Sequence, residues 1–314
     1  MHASVPSGLA IAPVQTDDDL EGMIAVRSAA DPDRPPPRIE NLRHNLSAEE
    51  GLVYLVARLG GLPVGCGFMY PAVPEHAEAH LVVVPDCRGR GIGSALLAEI
   101  GALAQAVNRN ELQGEARESD ADARAYLERR GYRVVGGEKA VALDLGAIDA
   151  PVPAPPAGIR IVSRAERPDL VEALYDVGAE AVEDIPGEPG RPTYEQWRAI
   201  EIDRPTREPE LFFIALAGEQ PVGYATMDNY GADAYHGLTG VLRNWRGRGV
   251  ATALKHAQIA KAKNVGFRRL VTASEERNAP MRNLNEKLGY CPEPSLSTIV
   301  LRGPADVRLP NGHD

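Results

Sequence analysis

The sequence predicts an α/β protein made of two tandem copies of one module, each a mixed sheet with helices on its faces. Three observations carry this. RGRG stands at residues 88–91 and again at 246–249, PVG at 63–65 and 221–223, and GY at 131–132 and 289–290, and all three pairs lie 158 residues apart. A period that long is a whole domain, not a solenoid repeat. Between the copies, DAPVPAPPAG at 149–158 is dense in proline and reads as a stiff, extended linker. Within each copy the elements run β-α-α-β-β-β-α-β-α, which implies a mixed sheet rather than a bundle or sandwich. The expected layout is a first domain at 1–148, a linker at 149–158, a second domain at 159–302 and a tail at 303–314.

Each element has a reason. The opening strands are GLAI at 8–11 and GIRI at 158–161, which align at an offset of 150, so the second copy carries eight extra residues before its PVG. Those fall around EDIPGEPGRPTYEQW, 183–197, whose prolines, glycines and acids read as an enlarged loop. A helix follows each opening strand, then a second helical stretch, which in the second copy starts on a capping box from Thr193 to Gln196. LVYLVARLGGLPVGCGFMY and LFFIALAGEQPVGYATMD read as hairpins, and HLVVV and GLTGV as fourth strands. The helix after RGRG places Leu96, Ile100, Leu103 and Val107 on one face in the first copy; its counterpart is alanine-rich, so it packs more closely. RRLVTA is a clean fifth strand, whereas ELQGEARESD in the first copy is charged and poor in β-formers.

Bulk properties exclude several classes. Apolar residues make up 44% and charged residues 25%, as in ordinary globular domains. No apolar run reaches the roughly 18 residues of a membrane span, and the first residues lack a basic, then apolar leader. Three scattered cysteines, Cys66, Cys87 and Cys291, suit neither a disulfide framework nor a metal site, and point to a reducing cytoplasm. A net charge of −10 disfavours nucleic acid and suits a cationic substrate.

The chemistry lies in strand, Arg-Gly-x-Gly, helix. Small residues let backbone N–H groups approach an anion, the helix N-terminus adds unpaired N–H groups, and two arginines add charge: a cradle for pyrophosphate. It is not a Walker loop, because Gly-Lys-Ser/Thr is missing, and the turn follows the fourth strand rather than the first, as a dinucleotide fold would require.

Arg88-x-x-Gly91-x-Gly93 and Arg246-x-x-Gly249-x-Ala251 resemble the acyl-CoA signature of the GNAT acetyltransferases, and Asn278 to Tyr290 resembles that family's last helix with its closing Gly-aromatic pair. The resemblance spans nearly the whole chain as two GNAT-like acyl-CoA N-acyltransferase domains. It implies acetyl-CoA as cofactor and direct transfer to an amine. It implies that Val241 and Arg243, with Val83 in the first copy, meet the pantetheine arm. Arg246, Gly247, Arg248, Gly249, Val250, Ala251 and Thr252 would hold the pyrophosphate, as would Arg88, Gly89, Arg90, Gly91, Gly93 and Ser94. Asn278 would touch the cofactor or cap its helix.

Two departures follow. The family's acidic tyrosine is replaced by Asn285 and by Leu127, and Tyr126 is one position off and is expected to point elsewhere on its helix. The usual carboxylate near the start of the fourth strand is replaced by His236 in the second copy, with Glu78 in the first. His236 and Glu183 are the candidate catalytic groups, Asp184 and Asp228 the candidate acceptor-binding ones. Asp120 stands where the second copy has Asn278, so catalysis is expected in the second copy, with the first degenerate and cofactor-binding or structural. The expected function is acetylation of a small cationic primary amine, an aminoglycoside or cationic peptide antibiotic among the classes, by a monomer or homodimer without metal. The alternatives are a protein lysine or N-terminal acetyltransferase and a non-catalytic acyl-CoA sensor.

Overall fold

The computed structural model describes residues 5–71, 73–148, 153–185 and 190–306. The chain forms two compact units, Met1–Gly137 with Ser295–Asp314, and Glu138–Pro294.

In the first unit, β1 (Leu9–Pro13), β2 (Val53–Leu59), β3 (Leu62–Tyr70), β4 (Ala77–Val83) and β5 (Glu111–Arg117) lie side by side in chain order, and the C-terminal strand β13 (Thr298–Pro304) closes the sheet on β5. α1 (Asp17–Ala30) and α2 (Ile39–Ala48) bury Leu20, Met23, Val26 and Leu42 on one face. α3 (Ile92–Ala106) buries Leu96, Ile100 and Ala104 on the other; of the predicted face, Leu103 is partly buried and Val107, the C-cap, is exposed, because the helix ends before it. α4 (Ala121–Glu128) follows β5. The charged ELQGEAR stretch is therefore a real strand: tertiary pairing with β13 along its full length overrides its low propensity.

The second unit repeats this with β7 (Ile159–Ser163), β8 (Phe212–Ala217), β9 (Gln220–Tyr230), β10 (Asp233–Val241) and β11 (Arg269–Glu275). α5 (Leu174–Glu183) and α6 (Tyr194–Glu201) cover one face through Leu174, Val177 and Trp197. α7 (Val250–Val265) covers the other, and α8 (Ala279–Lys287) leads to the two-residue β12 (Cys291–Pro292). The capping box from Thr193 to Gln196 is present. The sheet is closed by residues Glu138–Asp144 of β6 (Arg133–Asp144), antiparallel to β11.

Each half has a last strand beyond the expected element order, and the two have changed places. β6 ends the first half of the sequence yet closes the second unit; β13 ends the second half yet closes the first. The compact units consequently differ from the expected ranges 1–148 and 159–302. Of the expected linker, 149–152 lie outside the described residues, as do 307–314 of the tail and 186–189 of the enlarged loop.

In both units the fourth and fifth strands pair in parallel for only two or three residues and then splay. β4 meets β5 at Ala77 and Glu78, and β10 meets β11 from Asp233 to Tyr235. β10 also carries an irregularity between His236 and Thr239, where a bulge shifts its register on β9.

Candidate active site

The two RGRG loops have the same backbone. Gly89 and Gly247 sit at φ 72°, Gly91 and Gly249 at φ 81°, all in the left-handed region that only glycine enters freely. A Cβ on Gly89 or Gly247 would meet nothing within 4 Å, so both loops face open space. Gly91 and Gly249 are the N-caps of α3 and α7, and neither helix has a side-chain cap. The first-turn N–H groups, including those of Val250, Ala251 and Thr252, therefore point out of the helix as anion donors. The residues fit a pyrophosphate in either unit.

The side chains around the loops differ. In the first unit Arg88 donates to the carbonyls of Val83, at 3.1 Å, and Ala30, at 3.3 Å, and has no carboxylate partner among the described residues. In the second, Arg246 donates to the carbonyl of Val241 at 2.9 Å and pairs with Asp184 at 2.6 Å. Arg243 pairs with Asp184 at 2.7 Å and Glu183 at 3.1 Å, and its backbone N–H is held by the Glu180 carboxylate. Arg243 and then Arg246 hold the Asp184 carboxyl down at about 2. Arg248 lies over the ring of Trp245 at 4.8 Å. Glu183 and Asp184 are thus bound to the cradle's own arginines rather than presented to an acceptor. The reason is their place at the end of α5, beside the loop that follows β10. Of the backbone groups expected to meet the pantetheine arm, the Val241 carbonyl accepts from Arg246 and the Arg243 N–H donates to Glu180.

Asn278 caps α8 by accepting from the N–H of Met281 at 3.3 Å, and Asp120 caps α4 by accepting from Ala123 at 2.9 Å. Both positions serve their helices here.

The first unit's splay opens into a cleft of about 280 Å³, lined among others by Arg34, Arg88, Leu97, Glu115, Tyr126 and Tyr132. Tyr126 therefore reaches the cleft, against expectation. Its hydroxyl lies 3.2 Å from the Ser94 hydroxyl, and the Arg130 guanidinium stacks 3.7 Å from its ring while donating to the same Ser94. Gly93 lies beneath, where a Cβ would touch Val83 and Leu81 at ordinary distance. Burial raises the Glu115 carboxyl above its ordinary range.

The second unit carries something the first lacks. At α7 positions equivalent to Leu97 and Ile100 stand Lys255 and Gln258, both fully buried. His236, equivalent to Glu78, places Nε2 at 2.6 Å from the hydroxyl of Tyr290, equivalent to Tyr132. The Lys255 ammonium lies 5.8 Å from the centre of the Tyr290 ring. Burial alone pushes the Lys255 amine down to about 7. Burial, and then the Lys255 charge, hold His236 well below its ordinary value, so it is neutral at physiological pH. His236 Nδ1, Gln258 Oε1 and both side-chain polar atoms of Asn285 are buried without a hydrogen-bond partner. Lysine and glutamine in an alanine-rich helix carry no single-sequence signal that marks them as internal.

On the opposite face of the sheet, buried Glu201, Arg207 and Asp228 gather beneath the bulge. Arg207 pairs with Asp228 at 3.6 Å, and a Cβ on Gly237 would come within 2.6 Å of the Arg207 guanidinium and 2.3 Å of the Thr226 hydroxyl. Glu201 Oε2, Asp228 Oδ1 and two Arg207 nitrogens are unpartnered, and burial raises the Glu201 carboxyl. Asp228 was expected from sequence; Glu201 and Arg207 were not. Among the described residues no group of three or more His, Cys, Asp or Glu could hold a metal, and no helix is long and apolar enough to cross a membrane.

Comparison with known proteins agrees with this geometry. A model of the acetyltransferase (GNAT) family matches residues 174–290, and a model of the acetyltransferase (GNAT) domain matches 50–134. A mycothiol acetyltransferase of Thermobispora bispora is 28% identical over 288 residues, 88% of this chain and 94% of that protein. A tandem GNAT protein from the clavulanic acid biosynthesis pathway superposes with TM-score 0.74 at 23% identity, covering 98% of this chain and 100% of that one. A GCN5-related N-acetyltransferase from Sphaerobacter thermophilus gives 0.71 at 21% identity, over 96% and 97% of the two chains. With a family model in each half, together spanning more than half of its residues, the chain belongs to the GNAT acetyltransferase family, whose acetyl donor is acetyl-CoA, and carries two of its units in tandem.

Proposed function

We propose that the protein acetylates a primary amine of a small polar molecule, and that the second unit does so. One observation carries this reading. The second unit keeps His236, Lys255, Gln258, Tyr290 and Asn285 at its α7 face, where the first keeps Glu78, Leu97, Ile100, Tyr132 and Leu127. Burying polar groups without partners costs stability, on the order of 1–3 kcal/mol each, and such sets persist where chemistry uses them. Acetyl-CoA supplies the acetyl thioester. Arg246, Arg248, Gly247, Gly249 and the first turn of α7 hold its pyrophosphate. Neutral His236, hydrogen-bonded to Tyr290, is the candidate base. Asp228 and Glu201, with Arg207, form the acceptor side, where the unpartnered carboxylate oxygens suit an ammonium group. The ion pairs of Arg243 and Arg246 do not oppose this reading: exposed pairs are worth about 0–1 kcal/mol, and a pyrophosphate replaces them with more charge.

The acceptor is a small molecule in this reading, as the name of the mycothiol acetyltransferases indicates for those relatives. A second reading, with the cofactor working in the first unit, is favoured by the open cleft beside unpaired Arg88. One experiment separates them: release of free thiol from acetyl-CoA over a panel of polyamines, aminoglycosides, cationic peptides, amino-sugar thiols and lysine peptides. Turnover is expected to vanish with Gly249→Glu and to survive in Gly91→Glu. The reverse pattern moves catalysis to the first unit, and turnover of lysine peptides alone replaces the small-molecule acceptor by a protein.

A further inference from the structure

We propose that Lys255 is the proton donor to the departing thiol, filling the role left open by the missing tyrosine. The inference rests on the second-unit reading above. Its basis is position. Leu97, the residue at the same place on α3, lines the first unit's cleft, as does Leu127, which stands where Asn285 stands in the second unit. The repeat therefore puts Lys255 and Asn285 on the wall that faces the splay between β10 and β11. Asn285 has no ionisable proton. Lys255 has one, on an ammonium that lies over the ring of Tyr290, 5.8 Å from its centre.

The surroundings suit proton transfer rather than charge storage. Lys255 has no carboxylate partner among the described residues. The groups facing it are His236 from β10, Tyr290 from the turn after α8, and Gln258 one turn along α7; His256 adjoins it in sequence. None is acidic, so nothing offsets burial, and the amine is held at about 7, where it both carries and releases a proton at working pH. A lysine kept for an ion pair or for surface solubility would have neither property.

The step balances. The amine nitrogen bonds to the acetyl carbon, the carbon–sulfur bond breaks with its electron pair on sulfur, and Lys255 Nζ gives that sulfur a proton. The proton shed by the nitrogen returns to Lys255, directly or through the Tyr290–His236 pair, and the products are the amide and the free thiol.

The test uses the full chain, with the best acceptor from the panel above, and Lys255→Leu, which restores the first unit's residue, beside Lys255→Met and Lys255→Arg. General acid catalysis contributes about 10²–10⁴-fold, so kcat should fall at least 100-fold in Lys255→Leu and Lys255→Met. The calorimetric Kd for CoA should stay unchanged. In the wild type kcat should decline as pH rises through about 7, as the donor loses its proton. Lys255→Arg should lose that limb, because a guanidinium does not titrate there. A side-chain ¹⁵N signal titrating near neutrality and absent from Lys255→Leu would mark the amine itself. Lys255→Leu folded, CoA-binding and within about threefold of wild-type kcat overturns the proposal. So does an unmoved pH limb. If Gly249→Glu stays active, the second-unit reading has failed; if Gly249→Glu is dead and Lys255→Leu active, only this inference has.

Discussion

A lysine replacing a core leucine has a thermodynamic signature of its own. The unfolded amine titrates near 10.5 and the folded one near 7. Between these values the unfolded chain binds a proton that the folded chain does not, so stability from this group rises with pH across that window, by up to about 1.4 kcal/mol per unit. Below about 7 the penalty is present in full and constant. Lys255→Leu removes it. We expect the variant to melt higher than wild type at pH 7 and the gap to close toward pH 10, by scanning calorimetry at a series of pH values. A gap independent of pH would mean that the amine is charged in the fold. Other groups shift the absolute curves, so the difference between the two proteins is the quantity to read. Cys66 gives a simpler contrast: burial pushes its thiol up to about 12, which keeps it protonated at physiological pH.

At the scale of elements, the two cradles share their backbone and differ in what α1 and α5 bring to them. The end of α1 offers Arg88 a carbonyl; the end of α5 offers Arg243 and Arg246 three carboxylates. Removing two of them frees arginine for the cofactor. Glu183→Gln with Asp184→Asn should tighten CoA binding about two- to tenfold at low salt, less at high salt, given the modest worth of exposed pairs. Calorimetry at two ionic strengths checks this, and a weakened affinity would show that the acids hold the arginines in a binding-competent pose. The cradle itself was legible in the sequence, because Gly249 and its neighbours are chosen for backbone geometry within six residues. The acid partners were not, since Asp184 and Arg246 are 62 positions apart and meet only when α5 packs on β10.

At the scale of the molecule, each unit depends on the far end of the other half of the chain. β13 covers β5 along seven paired residues, and β6 covers β11 along another seven. A chain stopped after Pro294 lacks β13 and leaves β5 as a bare edge with unpaired backbone groups. We expect it to be insoluble or to lose the first unit's cooperative melting transition, while a chain stopped at Asp306 behaves as wild type. Residues 1–148 alone should likewise fail to fold. A soluble, cooperatively melting 1–148 fragment would show that β6 can close its own half's sheet.

By itself the sequence determined the duplication, the α/β class, the order of elements up to the last helix of each half, and the glycine turns of the two RGRG loops. These are local or repeated signals: the backbone needs of Gly91 and Gly249, the 3.6-residue face of Leu96 and Ile100, and a constant offset between copies. Only the tertiary structure decided which last strand closes which sheet, because both β6 and β13 offer a full row of backbone donors and acceptors and ladder pairing does not depend on which half supplies the strand. It also decided that Lys255 and Gln258 face inward, that Tyr126 turns into the cleft, and that Asp184 guards an arginine rather than an acceptor. Each of those depends on which surface lies opposite the residue, and a helical pattern states the period of a face without stating what that face meets.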